Sequence, residues 1–493
     1  MKYILVLDQG TTSTRAIIFD ECARIVGIAQ QEFRQIYPQA GYVEHDPIDI
    51  LSSARSVISE ALTRGKVKYS QLMAMGITNQ RETIVMWDKT TGEPVYNAIV
   101  WQCRRTTNYC EELIKNGYTD LIYKKTGLKI DPYFSATKIK WILDNVDKAK
   151  KLLKEGNLCI GTVDTYLMWE LSGHKIYKTD YTNASRTMLF NIHDLKWDEE
   201  LCNLFKVDLN ILPEVLSSGA NYGYTSSDVL GCEIPICGVA GDQQCSLFGQ
   251  LCINNGDLKV TYGTGCFLLM NTADKAIESK NGLLTTLACS ITDKPNYALE
   301  GSVFVGGAII QWLRDELQLI KKASDTEKIA NSVPDTNNAV IVPAFVGLGA
   351  PYWDSKATGL ICGLTRGVNK KHIVRACLES ICYQVYDVVD SMKKDTNIDL
   401  NDIKVDGGAS SNNFIMQFQS DILNSTIIRP SNIEVTALGA CFLAGLTAKV
   451  WNNIDEVSQL NGVDKKFYNQ FDEEKRNLLL TNWHNAVNKT LTK

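Results

Sequence analysis

The sequence predicts an α/β protein built from two similar domains on either side of a central cleft. At 493 residues the chain is too long for one hydrophobic core. Its apolar segments alternate between short strand-like runs and longer helical stripes. A strand, a Gly/Thr-rich turn and a second strand occur at the start of the chain and again near its midpoint, which indicates an ancient duplication. We place the two domains at residues 1–250 and 251–493.

Composition and charge favour a protein that acts on small molecules. The net charge of −5, from 51 basic and 56 acidic side chains, gives no general attraction to nucleic acid or anionic membranes. No apolar run is long enough to insert into a membrane, and the chain enters a strand without a signal peptide. The fifteen cysteines have no zinc-type or disulfide-framework spacing, so we expect reduced, mostly buried thiols in a cytoplasmic protein.

The first element is a predicted hairpin over Tyr3–Asp20, and its polar turn suits a polyphosphate. Gly10 lets the backbone bend, and the turn offers hydroxyls, backbone N–H groups, one cation and one carboxylate for Mg²⁺. The residues that supply these groups are Asp8, Thr11, Thr12, Ser13 and Arg15. The alternative is a polar hairpin tip without a ligand.

Two later strands, Met73–Thr78 and Val95–Val100, each run into polar or aromatic residues. In α/β sheets, ligands bind beyond the ends of the strands. These segments therefore predict a polar pocket with an aromatic wall, although adjacent Arg and Glu residues also occur as solvated surface pairs. The side chains expected in the pocket are Arg81, Glu82, Trp101 and Tyr133.

The chain then supplies a buried strand, Ile234–Ala240, which ends in a Gly-Asp-Gln-Gln turn and is followed by a helix. The second hairpin has Gly263-Thr264-Gly265 at its tip. A third turn, Gly407-Gly408, follows a strand and allows close approach of a ligand to the backbone.

The rest of the second half has a structural character. Apolar residues recur every four positions over Lys371–Met392, which predicts a helix with one buried face. The segment Thr436–Ala440 carries little side-chain bulk, so it should pack tightly against a neighbour. After Trp451 the tail is charged, and we expect it to cap the fold without a chemical role.

Seven motifs, named below in their order along the chain, together resemble the FGGY family of carbohydrate kinases, which shares the actin and sugar-kinase ATPase fold. Each motif is weak alone, but the ordered set is specific and spans about Lys2 to Val450. The motifs are Asp8–Ser13, Gly76–Thr83, Asn183–Thr187, Ala240–Gln244, Thr261–Gly265, Ala344–Asp354 and Val405–Gly408.

The resemblance implies two actin-like (ribonuclease H-like) ATPase domains flanking the cleft. It further implies phosphorylation of glycerol at a terminal hydroxyl by ATP with Mg²⁺, giving sn-glycerol 3-phosphate. A primary alcohol is a poor nucleophile and needs a base to accept its proton, a role that the resemblance gives to Asp242. Phosphate hairpins on both halves suggest that the domains close around ATP and glycerol.

The resemblance also implies roles for further residues. For glycerol they are Arg81, Glu82, Trp101, Tyr133, Asp242, Gln243 and Phe267. For the nucleotide they are Thr11, Thr12, Ser13, Arg15, Thr264, Gly307, Gln311, Gly408 and Asn412. Asp8 would hold Mg²⁺ through water.

Two departures from the family concern regulation. Some bacterial members bind a sugar bisphosphate through an arginine, where this chain has Glu233, whose charge would repel the ligand. Other members carry a phosphorylatable histidine where this chain has Tyr224. We expect neither control to operate; inhibition by fructose 1,6-bisphosphate at physiological levels would contradict the first expectation.

Two alternatives stay open at this point. A kinase of the same family for another polyol or ketose, such as xylulose or erythritol, is disfavoured by Arg81-Glu82 and Tyr133, and rates on a polyol panel would decide. An actin- or chaperone-like ATPase would also have two hairpins and the Val405–Gly408 turn, but it would not need Asp242 and its pocket. Relatives form dimers and tetramers, so a homodimer or homotetramer is expected by analogy.

Overall fold

The computed structural model describes residues 2–398, 400 and 402–492. The strands up to residue 250 are β1 Tyr3–Gln9, β2 Ser13–Asp20, β3 Ile25–Glu32, β4 Glu44–His45, β5 Leu72–Asn79, β6 Ile84–Asp88, β7 Ala98–Ile99, β8 Leu158–Thr162, β9 Lys178–Asp180, β10 Phe190–Asn191, β11 Lys196–Trp197, β12 Glu214–Leu216, β13 Gly223–Tyr224 and β14 Pro235–Gly241. The later strands are β15 Leu258–Tyr262, β16 Cys266–Ala273, β17 Leu284–Leu287, β18 Tyr297–Val303, β19 Val340–Val342, β20 Leu360–Cys362, β21 Asp402–Asp406, β22 Thr426–Pro430 and β23 Val463–Phe467.

The helices connect and cover these strands. Those up to residue 250 are α1 Pro47–Gly65, α2 Thr107–Lys115, α3 Thr119–Thr126, α4 Ser135–Asn145, α5 Asp147–Glu155, α6 Val163–Leu171, α7 Tyr181–Ala184, α8 Glu199–Phe205, α9 Ser227–Leu230 and α10 Asp242–Gly249. The later ones are α11 Ala308–Asp315, α12 Asp325–Ala330, α13 Lys370–Thr396, α14 Asn413–Leu423, α15 Val435–Thr447, α16 Ile454–Ser458 and α17 Glu473–Thr490. Short 3₁₀ turns occur at Tyr69–Gln71, Leu209–Ile211 and Gly408–Ser411.

Two large sheets share one topology. The first has six strands in the order β13-β14-β5-β1-β2-β3, and the second has seven in the order β17-β18-β16-β15-β21-β22-β23. In each, an antiparallel hairpin (β1–β2 or β15–β16) extends on one side to a third antiparallel strand. On the other side two parallel strands follow, and an antiparallel strand then closes that edge. The predicted α/β class and the two similar halves are confirmed.

The first sheet is buried on both faces, which explains the continuous apolar run of β1. Leu5 and Leu7 pack in a core with α1, whereas Ile4 and Val6 pack in a core with α15. Successive side chains of a strand point to opposite faces, so four adjacent apolar residues supply two cores. The strand thereby fixes the turn that follows it.

Local signals set the ends of α1. The Asp46 side chain accepts a hydrogen bond from the Ile48 N–H, and Pro47 occupies the first helical position. The helix ends at Lys66, whose backbone is left-handed (φ 52°) and whose N–H donates to the carbonyls of Leu62 and Thr63.

Helix α15 comes from the second half of the chain but packs on the first sheet and on α10. A Cβ placed on Gly439 would lie 1.9 Å from the Cys245 carbonyl oxygen, and one on Gly76 would lie 2.5 Å from that of Ala440. The prediction of tight packing at Thr436–Ala440 is therefore confirmed. The division at residues 250 and 251 stays a prediction, because a helix of the second segment completes the core of the first.

Two expectations need correction. Of Val95–Val100 only Ala98–Ile99 pairs as a strand. The charged tail does more than cap the fold, because β23 adds an edge strand to the second sheet and α17 buries Trp483. The sequence does not predict this edge strand, because β23 exposes every side chain except Phe467.

All fifteen cysteines lie within the described residues and all are unpaired thiols, of which twelve are buried. Among the helices of the described part of the chain, none combines the length and apolar character that crossing a membrane requires.

Candidate active site

Asp242 lies where β14 ends and α10 begins, at the carboxyl end of a central strand. Its Oδ1 accepts the Gln243 backbone N–H at 2.7 Å and lies 3.3 Å from Arg81 Nε. The Asp242 side chain keeps about a third of its surface exposed, while that of Arg81 is buried. Burial raises the pKa of Asp242, although Arg81 and the Gln243 N–H oppose the shift. A carboxylate with a raised pKa and an exposed face is suited to accept a proton.

Arg81 is held by a carboxylate from the second half of the chain. Glu300, on β18, accepts hydrogen bonds from Arg81 Nη1 at 2.8 Å and Nη2 at 3.0 Å. This two-pronged contact fixes the plane of the guanidinium group. Burial would raise the pKa of Glu300, but Arg186 and Arg81 lower it to about 2, so the carboxylate is ionised.

Glu82 is held by Arg186 through a single hydrogen bond. The Glu82 Oε1 accepts the Arg186 Nε–H at 2.6 Å, and Arg186 Nη2 also donates to Glu300 Oε1 at 3.1 Å. All four charged side chains of this network are at most 2% exposed. Glu82 has left-handed backbone (φ 61°), which is rare for glutamate and typical of functional sites. The surface-pair alternative for Arg81-Glu82 is excluded.

Trp101 and Tyr133, which the sequence predicts to form an aromatic wall, contact each other in the structure. Their ring centroids are 5.6 Å apart in an edge-to-face arrangement. The Arg81 Nη2 lies 3.4 Å from the Tyr133 hydroxyl. The Trp101 Nε1–H donates to the Thr11 hydroxyl at 2.9 Å, so Trp101 also contacts the first hairpin.

Two predicted pocket residues lie close to β15 and β16 of the second sheet. The Gln243 Oε1 accepts a hydrogen bond from Lys259 Nζ at 2.6 Å. Phe267 is half-buried on β16, where it pairs with Thr261 and Ser302 of the neighbouring strands. A side chain from the second half of the chain, Lys259, thus contacts Gln243 of the first half.

In the first hairpin the cation and the carboxylate bind each other. Arg15 Nη2 donates to Asp8 Oδ2 at 2.7 Å, and Arg15 Nη1 donates to Glu434 Oε2 at 2.6 Å, next to the start of α15. Burial raises the pKa of Asp8 against the effect of Arg15. Thr12 is exposed, and Thr11 and Ser13 are half-buried. The donors predicted for a polyphosphate are present, with Arg15 already bridging two carboxylates.

The second hairpin is organised by its backbone. The Gly263 N–H donates to the Gly265 carbonyl at 2.9 Å, and the Gly307 N–H donates to the Gly263 carbonyl at 2.8 Å. The Thr264 carbonyl accepts N–H groups at the start of α11, and its side chain is exposed. Thr264 and Gly307, predicted from separate motifs, are therefore neighbours.

The remaining predicted nucleotide residues surround the turn after β21. A Cβ on Gly408 would meet no atom within 4 Å, so this backbone is open to a ligand. The Asn412 side chain caps α14 by accepting the Phe414 N–H at 3.0 Å. Gln311 is exposed on α11. Their contact with a nucleotide stays a prediction.

Helix α10 joins the candidate base to that turn. Asp242 is its first residue, and Ser246, one helical turn later, donates to Asp406 Oδ2 at 2.9 Å. Gln250 donates to the same oxygen at 3.3 Å. Asp406 directly precedes Gly407, so a single rigid element connects the two sites.

Sequence reasoning missed four charged residues at this site: Arg186, Lys259, Glu300 and Glu434. Arg186 lies inside the motif Asn183–Thr187, but no role is assigned to it from the sequence. Lys259 and Glu300 each stand alone in an otherwise apolar or small-residue strand that is buried. A single charge in such a strand is costly unless it is paired, so it marks a site. The two residues tied to regulation, Tyr224 and Glu233, are both exposed.

Comparison with known protein families gives two matches that together cover most of this chain. Residues 3–249 match the N-terminal domain of the FGGY family of carbohydrate kinases, and residues 258–448 match its C-terminal domain. A glycerol kinase from Clostridium botulinum (strain 657 / Type Ba4) is 57% identical over 99% of this chain and 98% of its own length. One from Shewanella frigidimarina is 58% identical over 99% of this chain and 97% of its own.

Solved structures agree. The crystal structure of Plasmodium falciparum glycerol kinase with ADP superposes with a TM-score of 0.95 at 40% identity, covering 100% of this chain and 99% of that one. A ligand-bound xylulose kinase from Lactobacillus acidophilus gives a TM-score of 0.89 at 24% identity, covering 99% and 98%, which supports the fold alone.

Proposed function

The chain belongs to the FGGY family of carbohydrate kinases, and from this premise we propose that it phosphorylates glycerol. The reaction transfers the terminal phosphoryl group of ATP to a terminal hydroxyl of glycerol, giving sn-glycerol 3-phosphate and ADP. One observation carries the proposal beyond the relatives: a partly exposed carboxylate, Asp242, lies beside a buried network of paired charges.

In this proposal Asp242 accepts the hydroxyl proton as the new O–P bond forms. Its raised pKa makes it a stronger base than an ordinary aspartate. The remaining contribution to phosphoryl transfer is positioning and charge stabilisation. Backbone N–H groups of the two hairpins, at Thr11–Ser13 and Thr264, supply donors for the phosphates from opposite sides.

Glycerol recognition follows from the donor and acceptor inventory of the pocket. Each hydroxyl both donates and accepts, so it is satisfied by a carboxylate together with an N–H donor. Glu82 and Asp242 accept, while Arg81 and Gln243 donate. A site that pairs each hydroxyl discriminates strongly against analogues that lack one, because its buried polar groups are then left unpaired.

Asp8 is the proposed ligand of Mg²⁺. Within the described residues no group of three or more His, Cys, Asp or Glu side chains is arranged to hold a metal ion. Mg²⁺ usually binds one or two carboxylates together with substrate phosphates and water, so a single carboxylate fits. Asp8 is close enough to Asp242 for its charge to raise the pKa of that residue. Bound there, the ion would neutralise charge on the phosphates.

Two further parts of the proposal concern the compartment and the assembly of the protein. Fifteen unpaired cysteines favour a reducing compartment, so we place the protein in the cytoplasm. A homodimer or homotetramer is proposed by analogy with relatives alone.

The test is glycerol-dependent release of ADP by the wild type and by Asp242→Asn. We expect the variant to lose roughly 10²- to 10⁴-fold in kcat, because its amide cannot accept the proton. Calorimetry should show that it still binds glycerol. Asp274→Asn, at an exposed carboxylate after β16, serves as the control and should match the wild type.

An active Asp242→Asn variant would contradict the role of Asp242 as base. Higher kcat/KM on xylulose or erythritol than on glycerol would assign the protein to another substrate of the same family. ATP hydrolysis that glycerol does not change would favour the actin- or chaperone-like ATPase.

A further inference from the structure

Lys259 is a buried lysine at the edge of the proposed glycerol pocket. It lies on β15 of the second sheet and has no exposed surface. Its Nζ donates to Gln243 Oε1 at 2.6 Å and to the Thr261 hydroxyl at 2.7 Å. Fully buried lysines are rare and need partners. The one from the first half of the chain is Gln243, which follows the proposed base.

The surroundings of Lys259 act on its pKa in opposite directions, and burial has the largest effect. Burial lowers its pKa, but the carboxylates of Asp406, Asp242 and Glu300 oppose that shift. Arg81 is the neighbouring cation that acts in the same direction as burial. The position of Lys259 Nζ, 2.6 Å from Gln243 Oε1, directs a hydrogen-bond donor at Gln243.

An ammonium group donates hydrogen bonds and accepts none. Gln243 must therefore present its amide oxygen to Lys259, which turns its NH₂ group the other way. Within the described part of the chain, that NH₂ group has no hydrogen-bond partner, and Gln243 is only partly buried. The free donor is thus available to the cleft.

We propose that Lys259 is a specificity-positioning residue, which fixes the Gln243 amide so that it donates to a hydroxyl oxygen of the substrate. The inference rests on the proposed function and adds to it a residue from the opposite half of the chain. A glutamine free to rotate could offer either its oxygen or its NH₂ group and would tolerate more ligands. Held by Lys259, it offers only a donor.

The first test is a double-mutant cycle with Lys259→Met and Gln243→Ala. Methionine keeps the length and apolar stem of lysine but frees the amide. We expect each single variant to raise the KM for glycerol about 10- to 100-fold with a smaller change in kcat. The double variant should be no worse than Gln243→Ala, because Lys259 acts through that residue.

A second variant leaves Lys259 in place, in case Lys259→Met does not fold. Gln243→Glu keeps an oxygen for Lys259 but presents a second acceptor to the cleft in place of the donor. We expect a melting temperature close to that of the wild type and a KM for glycerol raised at least tenfold. If Gln243 does not donate to the substrate, no such increase is expected.

Two results would overturn the inference. In the first, Lys259→Met reduces kcat/KM as much in the Gln243→Ala background as in the wild type, so that the effects are additive. In the second, Gln243→Glu binds glycerol as well as the wild type does. Failure of the proposed function is distinguishable from both, because the wild type itself would then release no ADP in response to glycerol.

Discussion

The two sides of the cleft differ in their exposure and in the kind of hydrogen bond that holds their residues in place. On the alcohol side, Arg81, Glu82, Arg186 and Glu300 are buried and hold one another through charged hydrogen bonds. On the proposed nucleotide side, Thr264 and Gly408 are exposed, and the turn around Thr264 is organised by backbone hydrogen bonds.

The difference matches two kinds of recognition. A small uncharged triol offers only its hydroxyls, so a pocket must place donors and acceptors in advance and keep them in place. Phosphates carry charge and many acceptor oxygens, so exposed backbone N–H groups suffice to bind them. We therefore expect substitutions on the alcohol side to cost both stability and function, and those on the nucleotide side to cost little stability.

The largest effect should come from Glu300→Gln, which keeps the shape and removes the charge. Arg81 and Arg186 would each lose an ionic partner in a buried site, which typically costs about 3–5 kcal/mol in unfolding free energy. We also expect kcat/KM for glycerol to fall by more than about tenfold, because Arg81 loses its two-pronged contact. Urea unfolding and steady-state kinetics measure the two effects.

Glu379→Gln is the matched control, because Glu379 is also buried and accepts a hydrogen bond from Arg375 Nε at 2.8 Å on α13. It should lose stability but leave the KM for glycerol unchanged. Equal kinetic losses in both variants would remove the distinction between the alcohol side and the rest of the core.

The second effect is on pH dependence and isolates Asp242. Because its pKa is raised, the carboxylate takes up a proton at a higher pH than an ordinary aspartate. The base is active only when deprotonated, so kcat/KM should be constant at higher pH and fall as pH drops through the raised pKa. The fall should be tenfold per pH unit and begin above 3.8, the ordinary value.

Circular dichroism at each pH would separate this fall from acid unfolding. An acid limb at or below 3.8 would show that the surroundings of Asp242 do not raise its basicity.

The smallest effect should come from Thr264→Ala on the nucleotide side. The Thr264 carbonyl, which accepts the N–H groups of Gly306 at 2.8 Å and Ala308 at 3.1 Å, is retained in alanine. We expect a change within about 0.5 kcal/mol in stability and a less than tenfold rise in the KM for ATP. Gly265→Ala should be far more damaging, because its Cβ would lie 2.4 Å from the Val303 carbonyl oxygen.

A Thr264→Ala variant as destabilised as Gly265→Ala would show that the side chain, and not the backbone, holds this turn.

Much of this fold could be predicted from local signals. The turn at Gly263-Thr264-Gly265 repeats the chemistry of the first hairpin, so the duplication was visible without coordinates. The small residues of Thr436–Ala440 predicted close packing, which the contact between Gly439 and Cys245 confirms. Each of these signals consists of a few consecutive residues. It can therefore be recognised without knowing which distant residues the segment contacts.

The partners of the pocket could not be predicted in the same way. Arg81 meets Glu300 and Arg15 meets Glu434 across more than two hundred residues of chain, and nothing near either arginine identifies its partner. The charged tail after Trp451 was misjudged for a related reason. Its strand β23 exposes nearly all its side chains, so its pairing with β22 leaves no apolar pattern.

Helix α15 has a consequence for the order in which the protein is made. The residues Ile4, Val6 and Ile17 of the first sheet find their apolar cover in a helix that ends at Thr447. At 5–20 residues per second, the ribosome takes roughly 10 to 40 s to proceed from Gly249 to that point. During that interval α15 has not yet been made. The apolar face that contains these three residues therefore lacks the helix that covers it in the folded protein.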